Sequence, residues 1–295
     1  MSHDIEIIGD GCAALSFAAR ASEINGNVTL IKPNNAPPAK DHVWGFWSDP
    51  ILQDAQTMAK QTWKKWAVIT HDECAVLESE TKPYNAFKRS DWTKHCQQLA
   101  ELSGVKIIDE QDWKQSSDSL LFDTRPPIVP SGCVLQHFRG IEITTKENKF
   151  DPNIAILMDF RVDQSKGMHF MYLLPYSETE ALVESTIFST TLVDEQYYLA
   201  SIDKYLAKYY QVADYSITHE ENGVIPLGIC PLMTLKFRAW VLMVVQQDQR
   251  VVMRFCLFSD KLMLLLNKPN EVKKYHSLTH TREPIYGWIL FYLPS

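Results

Sequence analysis

No run of 18 or more apolar residues occurs in this chain of 295 residues, so no part of it reads as a helix crossing a bilayer. An excess of positive charge is also missing, the formal net charge being −7 at pH 7. Proteins that grip a phosphate backbone carry a basic face, so nucleic acid is not an expected ligand. Cysteine is sparse and scattered, at Cys12, Cys74, Cys96, Cys133, Cys230 and Cys256, with no C-x-x-C pair and no secretory signal ahead of them. Thiols placed in this way are expected to be reduced, in a cytoplasmic setting. Internal repeats and low-complexity tracts are absent. What is there, 45% hydrophobic and 22% charged residues, is the composition of a folded chain with a substantial core.

The clearest local pattern lies at the start. Asp4 to Ala19 reads D-I-E-I-I-G-D-G-C-A-A-L-S-F-A-A. Ile5, Ile7 and Ile8 predict a short buried strand, Gly9 and Gly11 a tight turn, and Ala13 to Arg20 a helix, which is how a dinucleotide-binding βαβ unit opens. The backbone must turn sharply there and approach a pyrophosphate, and a Cβ at Gly11 would stand in the way. Ala14 takes the third position, where a small residue lets the helix lie against the strand. Gly-x-Gly turns also end ordinary strands. Asn27 to Ile31 predicts the second strand, whose end should carry an acid for a ribose hydroxyl; Lys32 stands there instead. Either the nucleotide reading weakens or a different residue holds the ribose.

Beyond a breaker-rich loop, D-H-V-W-G-F-W at Asp41 to Trp47 puts three large aromatics in four positions. They form either a core cluster or the wall of an apolar pocket. Trp63 to Leu77 alternates short strand and turn, and Ser90 to Ser103 predicts an amphipathic helix with Ser90 as its N-cap. Val105 to Ile108 and Leu120 to Asp123 predict strands, the second running into Asp123-Thr124-Arg125 at the kind of strand end where α/β folds place ligands. Cys133 to Ile143, Ile154 to Arg161, His169 to Pro175 and Ala181 to Ser189 predict an antiparallel substrate sheet beside the nucleotide unit. Asp194 to Tyr209 returns to helical spacing. His137 has no second ligand at metal spacing, so no metal site is expected. Arg139 and Arg161 are expected as structural ion-pair partners of Asp159 or Asp151.

The middle third carries L-Q-H-F-R-G (135–140), F-D-P (150–152), L-M-D-F-R (157–161), Y-L-L-P-Y-S (172–177), A-L-V-E-S-T (181–186) and N-G-V-I-P (222–226). In order and spacing these motifs resemble the lycopene β-cyclase family. The opening Gly-x-Gly turn and H-V-W-G-F-W share the likeness, which covers about 4–231. It implies an α/β fold: a Rossmann-like FAD-binding domain, with its βαβ unit at 4–32, interleaved with an antiparallel substrate domain, as in flavoprotein hydroxylases. The implied reaction converts the linear ψ ends of lycopene, or a related carotenoid, to β-ionone rings, on reduced FAD with NADPH as electron source. Gly9, Gly11, Ala14, Asp123 and Arg125 fall at the implied cofactor site. Glu184, the acid of the family's E-x-T motif, becomes the proton donor; strand alternation alone leaves open whether it faces a site or water. A carboxylic acid in an apolar pocket suits that role, because desolvation favours its protonated form. Trp44, Phe46 and Trp47 would contact the polyene and face the carbocation with their π systems. An apolar substrate implies peripheral contact with a membrane. The alternatives are an FAD-dependent hydroxylase or reductase, or a non-catalytic polyene-binding remnant.

The family likeness stops after Pro231, where a second flavin-binding segment of the form G-G-A-T-R-P-x-S-G-Y-A-F should follow. No glycine occurs from Ile229 to Tyr286. Back-translating Ala239 to Phe258 and reading from the third base of each codon yields, with permitted codons, M-G-F-D-G-G-A-T-R-P-T-S-G-Y-A-F-L-P-I. The glycines spanning Trp240-Val241 and Met243-Val244 are forced, because TGG or ATG before GTN must give GGT. Residues 232–295 are therefore expected to be an out-of-frame tail, the alternative being a divergent lineage with a new carboxy-terminal domain, and this chain is expected to be weakly active or inactive.

Overall fold

The computed structural model describes residues 4–34, 40–125 and 132–227. The tail at 232–295, with its expected frame change, lies outside them. In chain order the strands are β1 (Ile5–Ile8), β2 (Val28–Lys32), β3 (Val43–Trp47), β4 (Gln61–Trp63), β5 (Lys65–Ile69), β6 (Cys74–Glu78), β7 (Tyr84–Lys88), β8 (Lys106–Asp109), β9 (Leu120–Asp123), β10 (Val134–Thr144), β11 (Ile154–Asp159), β12 (Met168–Pro175), β13 (Glu180–Ser189) and β14 (Ser216–Leu227). The helices are α1 (Cys12–Ala18), α2 (Gln53–Thr57), α3 (Arg89–Leu102) and α4 (Glu195–Tyr210).

Three sheets result. A parallel sheet has the order β8-β2-β1-β9. Its central strands, I-E-I-I and V-T-L-I-K, are nearly continuous apolar runs, as strands covered on both faces require. A three-stranded antiparallel sheet has the order β3-β7-β4, and a seven-stranded sheet the order β14-β10-β13-β12-β11-β5-β6.

Strand alternation then stacks the layers. One core joins Ile5, Ile7, Leu30 and Phe122 of the parallel sheet to α1, α3 and the Trp44, Phe46 and Phe87 face of the three-stranded sheet. Phe17 meets Phe122 edge to face at 4.9 Å, and the Trp92 indole N–H donates to Ser16 Oγ at 2.9 Å, tying α3 to α1. The opposite face of the three-stranded sheet, with Val43, Trp63, Tyr84 and Ala86, packs on Ala155, Leu157, Leu174 and Leu182 of the large sheet. The far face of the large sheet, with Ile141, Ile156, Leu173 and Val183, is covered by Ile202, Tyr205 and Leu206 of α4.

The expected strands at 27–31, 105–108, 120–123 and through the middle third all form, with ends shifted by at most two residues. Three differences have physical causes. The substrate sheet is not purely antiparallel: β5 and β6 join it from earlier in the chain, and β5 pairs parallel to β11. Ser90 is not the cap of α3, which begins at Arg89; the Ser90 N–H and Oγ instead both donate to Asp41, at 2.9 and 3.0 Å, so the cap arrives from a distant loop. Segments 43–47, 84–88 and 216–227 are strands that the sequence left without an assignment, and each is stabilised by pairing with a strand remote in sequence.

Candidate functional site

The carboxyl ends of the parallel strands form one part of the site. Gly9 follows β1 with φ +137°, a conformation open to glycine and costly for other residues. A Cβ there would lie 2.0 Å from Thr124 Oγ1 and 3.3 Å from the Ala14 Cβ, so Ala14 does permit the close helix–strand approach. Thr124, named in the sequence only as part of the strand end after β9, gains a role: its hydroxyl donates to the Ile8 carbonyl at 2.8 Å and closes the turn from the β9 side. Nothing lies within 4 Å of where a Cβ at Gly11 would stand, and the first turn of α1 carries neither an acidic residue nor a side-chain cap. A turn with open space before it, leading into a helix whose first turn holds no acidic residue, fits a pyrophosphate. Asp123 sits opposite Ile8, and Arg125 forks onto it at 2.9 and 2.7 Å while also reaching Glu110 at 2.9 Å. The hydrogen bond to Asp123, with Glu110 adding to it, raises the Arg125 pKa against desolvation.

The second part lies on the face of the large sheet turned toward β3. Glu221, Gly140, Glu184 and Tyr172 stand directly opposite one another on β14, β10, β13 and β12, forming one row. The orientation left open by alternation is therefore inward: Glu184 is 7% exposed, and the Thr186 hydroxyl donates to its Oε1 at 2.5 Å. Gly140 is required in this row, because a Cβ would lie 2.9 Å from the Glu221 Cγ. Glu221 Oε2 accepts from the Val43 N–H at 2.8 Å, and the Tyr172 and Tyr84 hydroxyls meet at 2.5 Å where a Cβ on Gly45 would collide with both. Thus β3 crosses the row from the Glu221 end to the Tyr172 end. Lys60 pairs with buried Glu142 at 3.0 Å and lies 3.6 Å from the Tyr176 ring centroid. Burial first, then the charges of Glu142 and Glu221, push the Tyr176 hydroxyl well above its ordinary range.

The three aromatics of 44–47 are not brought together. Alternation along β3 sends Trp44 and Phe46 into the core of the nucleotide unit, against Phe87. Trp47 faces the other way, with its ring centroid 4.9 Å from that of Tyr84 and 6.1 Å from that of Trp66. The aromatic cluster beside the row is thus Trp47, Trp63, Trp66, Tyr84, Tyr172 and Tyr176, most of which only the tertiary fold assembles.

Asp159 and Arg161 form the expected structural pair, at 2.6 Å, with the Tyr205 hydroxyl donating to Asp159 at 2.8 Å. Arg139 does not join Asp159 or Asp151; it pairs with Glu195 at 2.6 Å and with Glu220, because β14 and α4 flank β10. The His137 ring contacts the Tyr198 hydroxyl at 2.5 Å and Ser189 Oγ at 2.9 Å, and burial lowers its pKa. Among the described residues no group of three or more His, Cys, Asp or Glu could hold a metal ion, and no helix is long and apolar enough to cross a membrane.

A parallel nucleotide-type sheet joined through a small sheet to a large mixed sheet defines an α/β architecture found among flavin-dependent enzymes. A geranylgeranyl bacteriochlorophyll reductase-like protein from Thermoplasma acidophilum superposes with a TM-score of 0.67 over 95% of this chain and 84% of its own, at 11% identity. A flavin-dependent brominase superposes at 0.55 over 91% and 80%, at 12% identity. At such identities the likeness concerns the fold alone. The family profile described as lycopene cyclase protein matches residues 4–239, and the chain belongs to that family. A lycopene beta-cyclase of a Paracoccus species is 24% identical over 270 residues, covering 78% of this chain; the chain spans 62% of that relative's length.

Proposed function

We propose that this chain derives from an enzyme that cyclises the ψ ends of lycopene, or a related carotenoid, to β rings, with Glu184 as the proton donor. The observation that carries the reading is the inward, buried placement of Glu184 beside an aromatic cluster, in a chain of the lycopene cyclase family. FAD, when bound in its reduced form with NADPH as electron source, would supply negative charge near a developing cation. The fold likeness and the Gly9–Gly11 turn support a site for it, with Ala14, Asp123 and Arg125 at its edge.

Glu184 would transfer its proton to a terminal alkene carbon, leaving a tertiary carbocation. A second alkene of the same chain then closes the ring, and loss of a ring proton restores a double bond, so the product is an isomer of the substrate. The Thr186 hydroxyl donates to one carboxyl oxygen and so holds the Glu184 side chain in place. Trp47 and its aromatic neighbours exclude water, which would otherwise quench the cation, and offer it their π faces. Trp44 and Phe46 act at one remove, by holding β3 in place.

The tail at 232–295 is inferred to be out of frame from the glycines that its back-translation forces; the family match runs to residue 239, a few residues beyond the end of likeness read from the motifs. Anaerobic incubation of lycopene with reduced FAD tests both statements. The frame-restored chain is expected to form cyclic products, and the chain as it stands to form few or none. Oxygenated products under air, with no rings formed anaerobically, would make the protein a hydroxylase. Early stop codons in the shifted frame of the gene would end the frame argument.

A further inference from the structure

We infer that Glu110, which follows β8, supplies the acid for a nucleotide ribose that the end of β2 lacks; this rests on the reading of the β1–α1–β2 turn as the FAD site. In a dinucleotide-binding βαβ unit a carboxylate at the end of the second strand accepts a hydrogen bond from a ribose hydroxyl. Lys32 occupies that position here. The structure brings a carboxylate back to the same place from another strand. β8 runs parallel to β2, with Asp109 opposite Lys32, so the residue after Asp109 leaves the sheet beside the loop that follows Lys32. That residue is Glu110.

Glu110 Oε2 accepts from the Asn34 N–H at 3.1 Å, which seats the carboxylate on the loop after β2. Its Oε1 accepts from Arg125 Nη1 at 2.9 Å. Arg125 comes from beyond β9, on the far flank of β1, so the pair spans the carboxyl ends of β2 and β1 beside the Gly9–Gly11 turn. An ionised carboxylate offers about four acceptor sites, and these two bonds leave others free for a hydroxyl. The side chains are 28% and 42% exposed, and an ion pair so exposed contributes little to stability. Its placement is therefore better explained by a ligand at this edge than by the fold. Arg125 orients Glu110, and Asp123 orients Arg125.

The test is FAD affinity, read by quenching of flavin fluorescence, for the full chain and for Glu110→Ala. Each is titrated with FAD and with its analogue lacking the adenosine 2′-hydroxyl. The unsubstituted chain should prefer FAD over the analogue. Glu110→Ala should bind FAD about ten- to a hundred-fold more weakly, the span expected for one hydrogen bond to a charged group, and should no longer distinguish the two ligands. Should Glu110→Ala melt early, Glu110→Gln, which keeps an acceptor for Arg125, reads the same discrimination and should reduce it. A variant that keeps the preference for FAD, whatever its melting temperature, overturns the assignment while leaving the cofactor reading intact. Where the folded, unsubstituted chain binds no FAD, the frame-restored chain is titrated in its place, and a folded, frame-restored chain that binds no FAD overturns both.

Discussion

At the scale of single residues, the site depends on two kinds of position: glycines that make room and one acid that is kept from water. Gly9 combines a left-handed φ with a neighbour 2.0 Å from any added Cβ. Gly9→Ala is expected to cost more than about 1 kcal/mol in urea unfolding, because strain and collision act together, and to weaken flavin retention as the turn shifts. Unchanged stability would show that the turn relaxes freely. Glu184 makes a different case. Its partner Thr186 and its row neighbours are in place without substrate, so Glu184→Gln keeps the shape and removes the proton. In the frame-restored chain that substitution should lower ring formation by at least about a hundred-fold, in the range of general-acid contributions, with the thermal midpoint little changed. Activity within a few-fold of the parent would remove Glu184 from the proposed role.

At the scale of elements, β3 shows how one short strand serves two cores. Its alternation delivers Trp44 and Phe46 to the nucleotide unit and Val43, Gly45 and Trp47 to the large sheet, so it couples the two by its side chains and by the Val43 N–H bond to Glu221. The start of α3 shows a related economy. Lys88 at its N-cap provides no side-chain bond, and Asp41, just before β3, serves the Ser90 N–H and hydroxyl in its place. Asp41→Ala should therefore destabilise the protein by about 1 kcal/mol, as the loss of an N-cap does, although the residue lies outside the helix. A denaturation midpoint unchanged from the parent would count against this cap. By contrast, α4 carries its own cap, Asp194, which accepts from the Gln196 N–H at 2.8 Å.

At the scale of the whole molecule, the large sheet carries buried histidines that set its response to acid. His137 and His169 both have their pKa lowered by burial, below the ordinary value of 6.5. The stability they lend is therefore present above about 6.5 and is lost as the pH falls through their folded values. His219 works in the opposite direction: Glu221, 3.8 Å away, raises its pKa, so its contribution is present below about 6.5 and fades as the pH rises through its folded value. Melting curves from pH 7.5 to 5 should show stability falling toward acid, with a shallower slope in His169→Gln. An equal slope in that variant would assign the acid response to other groups.

The parallel strands, the opening turn and the paired strands of the middle third were legible in the sequence, because apolar runs, glycines and alternation act over a few residues. The inner face of Glu184 was not, since alternation in A-L-V-E-S-T allows either side; it took β3 and β7 packing over the sheet to settle it. The same limit explains Trp44, Phe46 and Trp47, close in sequence and divided between two cores by a strand that local pattern did not reveal. Lys32 marks the boundary most clearly. The sequence alone determined that the end of β2 carries no acid. Only the tertiary structure decided that Glu110 stands there instead, because parallel pairing of β8 with β2 sets side by side two strand ends that are 77 residues apart along the chain.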